Sequence, residues 1–79
     1  MFSRKKEQTP DELLGRMTDR VKKIATPDLI DWAEQAEIGI GRHLSSYRRH
    51  RAPEDLEEAK IGAAALYAVV TELGLRNAT

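Results

Sequence analysis

The chain contains no cysteine. Disulfides and thiolate metal sites are therefore excluded, and with them two of the staples that stabilise small domains. Aromatic residues are scarce, with one Trp, one Phe and two Tyr among 79 residues. A charge excess is missing too, since 13 Lys and Arg balance 13 Asp and Glu. A dedicated nucleic-acid binder carries a basic surplus or a strongly basic face; the balance argues against that class and leaves only a local patch to consider. No apolar run approaches the roughly 20 residues of a membrane span. The longest, IGAAALYAVV at 61–70, suits a buried helix, and MFSRKKEQ at the start has charge without an apolar run behind it. A secretory signal is thus not expected. The composition reads as a soluble, cytoplasmic protein with no membrane partner. Frequent Arg, Ala and Gly give it the texture of a short bacterial or phage reading frame.

What the chain does have is a set of helix signals. TPDE opens the first: Thr9 is a candidate N-cap, Pro10 fits the first helical position, and Glu12 completes a capping box. Leu13, Leu14, Met17, Val21 and Ile24 then recur at helical spacing, with an end expected near Ala25. Thr26, Pro27 and Asp28 repeat the start signal. Behind them Leu29, Ala33, Ala36, Ile40, Leu44 and Tyr47 form a heptad-like seam, and Pro53 stops that helix around His50 or Arg51. The third helix opens with Pro53, Glu54 and Asp55, continues on a seam of Leu56, Ala59, Ala63, Leu66, Val70 and Leu73, and is expected to stop at Gly74.

The fold class implied is all-α: a small three-helix domain in which helices 2 and 3 make a long antiparallel hairpin and a shorter N-terminal helix packs on it. Residues 1–8 read as a flexible tail, 9–75 as one domain and 76–79 as a frayed end. A domain this small buries a modest share of its surface. Tight packing or self-association must supply the missing staple, and a homodimer is the simplest expectation.

GRHLSSYRRHR, residues 41–51, raises the question of nucleic acid. If Gly39–Gly41 were a turn, residues 28–51 would make a helix-turn-helix, with Arg42, Arg48, Arg49 and Arg51 toward phosphate. The apolar phase from Leu29 to Tyr47 passes the glycines without a reset, so a continuous helix is expected instead. The glycines then need a reason, and close approach of a neighbouring helix would supply one. The charges also have a local explanation. Each helix opens acidic and closes basic, as its dipole favours. The hairpin should also bring Arg48, Arg49 and Arg51 beside Glu54, Asp55, Glu57 and Glu58.

Trp32, Gly39 and His43 lie along one edge of the second helix and suggest a small groove. Ile38 falls opposite the seam among polar residues, and Ile61 and Ala65 lie on a second apolar face of the third helix. Trp32, Ile38, His43, Ile61 and Ala65 are therefore the candidate residues for a protein partner. His43 and His50 are seven apart, whereas a helical two-histidine metal site wants about four. No nucleophile has an adjacent base, and GIG lacks the strand and Lys-Ser/Thr of a phosphate loop. No catalytic residue, metal or cofactor is assigned. The expectation is a non-catalytic helical protein–protein interaction module, a regulator or assembly component. The rival is a nucleic-acid-binding regulator that uses 42–51.

Overall fold

In the computed structural model the backbone is described for residues 10–78 and the side chains for 12–77. The tail at 1–8 and the cap at Thr9 lie outside the described residues. Three helices follow in order: α1 (Pro10–Val21), α2 (Thr26–His50) and α3 (Pro53–Ala78). No strand occurs among the described residues. α2 and α3 pack as an antiparallel hairpin, and α1 packs on α3. The all-α three-helix architecture is the one the spacing predicts.

α2 runs unbroken for 25 residues through Gly39 and Gly41. Its apolar register never resets, so no turn forms there. The expected reason for these glycines does not hold, because a Cβ at either would meet nothing within 4 Å. Close approach occurs at Gly62 instead. A Cβ there would lie 2.8 Å from Ile40 Cγ1 and 3.6 Å from the Ala36 carbonyl oxygen. The missing side chain lets α3 sit against α2 where Ala36 and Ala59 are also small and buried.

The larger core lies at the other end of the hairpin. Val21, Leu29, Ala68 and Val69 form its buried centre, with Leu14, Met17, Ile24, Trp32, Ala33 and Leu73 packed around it. Each helix contributes, so this cluster fixes α1 to the hairpin. Leu29 and Val69 are fully enclosed. Truncating a side chain such as Leu29 to Ala typically costs about 2–5 kcal/mol.

The helix ends depart from the local signals in three places. α1 stops at Val21, not near Ala25, because the chain turns there with Lys23 and Ile24 donating three residues back to the Arg20 and Val21 carbonyls. α2 is capped by extended Ala25, which makes no side-chain cap bond, and Thr26 is already helical. The Thr26 hydroxyl accepts instead from Arg76 Nη1 at 2.9 Å. Finally, α3 passes Gly74 and continues through Ala78. The end expected to fray from residue 76 is held by Arg76, which also donates to Glu72 at 2.9 Å and to the Val21 carbonyl at 3.2 Å. That carbonyl belongs to the last turn of α1, where intrahelical partners run out.

The α2–α3 connection is two residues, Arg51 and Ala52. Arg51 is left-handed (φ 57°, ψ 29°), and its N–H donates to the Tyr47 carbonyl at 2.8 Å. A Cβ makes this conformation costly by roughly 1–2 kcal/mol. Its guanidinium, 5.7 Å from the Tyr47 ring centroid, offsets part of that cost. Comparing Arg51→Ala with Arg51→Gly isolates the backbone term, since both lack the guanidinium. The Gly variant should be the more stable by about 1 kcal/mol in urea unfolding. Equal stabilities would mean that the turn relaxes freely.

Candidate functional site

Geometry separates the expected partner residues. Trp32 is half-buried and packs on the core. His43 is half-buried and occupied, its Nδ1 donating to Asp55 Oδ1 at 3.0 Å. Gly39 lies at the edge of the contact, with open space where its Cβ would be, and the contacts of Trp32 and His43 are inside the fold. Ala65, only 4% exposed, is out of a partner's reach in the folded chain. Ile38 and Ile61 are both exposed, but Ile38 is on the outer side of α2 and Ile61 is one turn from Ala65 on α3. The five do not make one surface.

The His43–Asp55 pair clasps the hairpin near its connection. Hydrogen bonds from His43 first, then Ser46, hold the Asp55 carboxyl below its ordinary value of 3.8. Both donors address the same carboxylate. A nucleophilic chain would instead need the hydroxyl on the imidazole, so this arrangement is a clasp. A lowered carboxyl favours the folded state above its unfolded value, and that contribution disappears as pH falls through the lowered value. The unmodified chain should therefore lose stability relative to Asp55→Asn as pH drops from 5 to below 3.8, with the two curves parallel above that range. Urea midpoints at each pH measure it, and parallel curves throughout would dismiss the clasp.

Of the basic residues of 42–51, only Arg48 and Arg49 come together. Arg42 and Arg49, seven apart, share the outer side of α2 with Ile38 and Ser45. Arg48 follows Leu44 by one turn on another side, and Arg51 lies outside the helix over Tyr47. Leu44, Ser45, Arg48 and Arg49 line a shallow surface groove. Among the described residues no ion pair joins Arg48, Arg49 or Arg51 to the acids of α3. Asp55 takes His43, and Glu57 takes Lys60 at 3.3 Å. The expected neutralisation across the connection is absent because Asp55 turns inward, toward the seam.

The seams themselves are rotated. α3 meets α2 along Asp55, Ala59, Gly62, Leu66, Val69 and Leu73; of the expected seam, Ala59, Leu66 and Leu73 face inward as expected, while Leu56, Ala63 and Val70 turn outward. The turn is about 50° at 100° per residue. Leu56, Val70 and Leu44 are consequently 38%, 54% and 48% exposed. The cause is α1, which occupies the opposite flank of α3 and draws its buried arc toward Ala65 and Ala68.

This rotation creates a surface that the sequence did not disclose. Leu29, Ala36 and His43 face α3; Asp55, Gly62 and Val69 face α2. The residue after each is Ile30, Glu37 and Leu44 on α2, and Leu56, Ala63 and Val70 on α3. In two antiparallel right-handed helices, that one-residue step turns both sets to the same face of the hairpin. It is the face away from α1. Ile30, Leu44, Leu56 and Val70 are exposed there, with Tyr67, at 63% exposure, on the same side of α3. Half-buried Ala33, Ile40, Tyr47 and Leu66 floor the space between them.

Among the described residues no cluster of three or more His, Cys, Asp or Glu is placed to hold a metal ion. No helix there is long and apolar enough to cross a membrane. The chain matches no protein-family model, no curated protein and no solved structure.

Proposed function

We propose that this chain is a small, non-catalytic helical interaction module that docks the open face of its hairpin on another polypeptide, as a regulator or assembly component. The cysteine-free composition suits the cytoplasm as its setting. One observation carries the reading. Five large apolar side chains, Ile30, Leu44, Leu56, Tyr67 and Val70, stand exposed on one face of the hairpin. Scattered exposed apolar residues are ordinary, but here they gather on one face in two groups, Leu44 with Leu56 and Ile30 with Tyr67 and Val70, and such grouping marks an interaction surface. Charge on the face is confined to its middle, where exposed Glu37 and Lys60 lie between the two apolar ends.

The test is binding with and without the face. Unmodified chain immobilised on resin should retain a protein from the lysate of its host, and Leu44→Glu and Val70→Glu should each lose it while keeping the helical circular dichroism. Retention by both variants would place binding elsewhere. The rival, nucleic-acid binding through Arg42, Arg48, Arg49 and Arg51, predicts affinity for random duplex DNA that falls steeply with salt. It also predicts that Arg48→Gln with Arg49→Gln weakens that affinity across all sequences. The interaction reading expects neither.

A further inference from the structure

We infer that the occupant of the open face is a second copy of this chain, related by a twofold axis that runs along the hairpin. The inference rests on the interaction reading above and names its partner. It starts from which residues lie level across the hairpin. His43 meets Asp55 at 3.0 Å, Gly62 lies against the Ala36 carbonyl, and Leu29 and Val69 share one core cluster. The open-face residues that follow these are level in the same way: Leu44 with Leu56, Glu37 with Ala63, Ile30 with Val70.

An axis parallel to the helices carries every level onto itself while exchanging left and right. α2 of one copy then lies over α3 of the other, antiparallel to it. Leu44 covers Leu56 of the second copy, and Ile30 covers its Val70. Tyr67 reaches the level of Ala33, the floor between α2 and α3. Glu37 sits over the small Ala63, midway along the face and one turn from Lys60, an exposed cation that Glu57 also meets. The operation repeats each contact twice, as a closed two-fold interface requires. All five exposed apolar side chains are covered at once.

An axis across the helices serves less well. Centred at the level of Glu37 and Ala63, it pairs Ile30 with Leu44 and Leu56 with Val70 but sets Glu37 against Glu37 of the other copy, a like-charge contact. Moving the centre to where Glu37 meets Arg48 removes that contact but leaves Ile30, Tyr67 and Val70 past the end of the partner hairpin. The area is also adequate. From Ile30 to Arg51 the face is about 33 Å long and two helices wide, hence about 650 Å² per copy and about 1,300 Å² in all, within the range of specific interfaces. The product is a four-helix bundle in which every neighbouring pair is antiparallel, with α1 of each copy on the outside.

Sedimentation equilibrium of the full chain at tens of micromolar should give twice the chain mass. Leu44→Glu and Val70→Glu, at positions exposed in the single chain, should each weaken the dimer by roughly thirtyfold or more with helicity unchanged. The register has its own readout, because the chain has no native cysteine. Oxidising a mixture of Leu44→Cys and Leu56→Cys chains should yield a disulfide-linked pair of one of each, in excess of the like pairs. Like pairs from Leu44→Cys alone, with none in the mixture, would overturn the axis. A monomer that still holds a host protein through Leu44 and Val70 would overturn the second copy and leave the interaction reading standing. A dimer indifferent to both Glu variants would overturn the inference, and host protein retained by both variants as well would overturn the reading.

Discussion

Replacing Arg76 with Ala should lower the thermal midpoint by about 10–20 °C, equivalent to some 2–3 kcal/mol. Few single changes outside the core reach that size. Arg76 joins all three helices: its guanidinium bonds Glu72 on its own helix, the Thr26 hydroxyl at the start of α2 and the Val21 carbonyl at the end of α1. The Arg76 and Glu72 side chains are 28% and 14% exposed. Solvent thus screens this pair less than an exposed one, whose worth is at most about 1 kcal/mol. Removing Arg76 leaves Glu72 half-buried without this cation and the Val21 carbonyl without this donor, and such losses exceed the value of the bonds themselves. Arg76→Lys is the discriminating control. A lysine can meet Glu72 but cannot fork to three acceptors, so it should recover less than half of the loss. A loss below about 1 kcal/mol for Arg76→Ala would reduce the contact to an ordinary surface pair.

The second large effect is expected at Gly62. Gly62→Leu should cost roughly 3 kcal/mol, since overpacking at a close helix contact must push the hairpin apart. Gly62→Ala is the finer measurement. In an exposed helix, Gly to Ala gains about 1 kcal/mol. Here the new Cβ meets Ile40 Cγ1 at 2.8 Å, an atom on a β-branched side chain whose rotamer the helix restricts. A net loss of about 0.5–1 kcal/mol is expected. Gly39→Ala, with nothing within 4 Å of its Cβ, should instead gain about 1 kcal/mol. Combining Gly62→Ala with Ile40→Ala tests the cause. Urea unfolding of the double variant should show less loss than the two single changes added together, by about 1 kcal/mol. Simple additivity would mean that Ile40 is not the obstacle.

The helices were legible because their signals are local. Pro27 and Pro53 mark starts that the structure places within a residue of expectation, and the phase from Leu29 to Tyr47 carries α2 through two glycines. The candidate site was legible only in part. Leu44, Leu56 and Val70 stand out as seam residues, yet their spacing alone places them on the inside of the hairpin. An apolar arc wider than one contact line fits two rotations of the helix equally well, and periodicity alone does not choose. Ile61 and Ala65 show the same ambiguity from the other side, since the fold buries Ala65 and leaves Ile61 exposed. Gly62 lay within an Ala-rich run that gave no hint of which small residue meets the neighbouring helix.

By itself, then, the sequence determined three helices, their order, the unbroken course of α2 and the absence of thiol chemistry. These follow from proline's fixed φ, helix dipoles and a 3.6-residue repeat, all of which act over a few residues. Only the tertiary structure decided how far each helix turns about its axis, and so which apolar residues form the core and which form the open face. That angle is set by packing α1 against one flank of α3, a contact between distant segments. It also decided that Arg76 would close the bundle. Its partners Thr26 and Val21 are 50 and 55 residues away, beyond the reach of any local pattern.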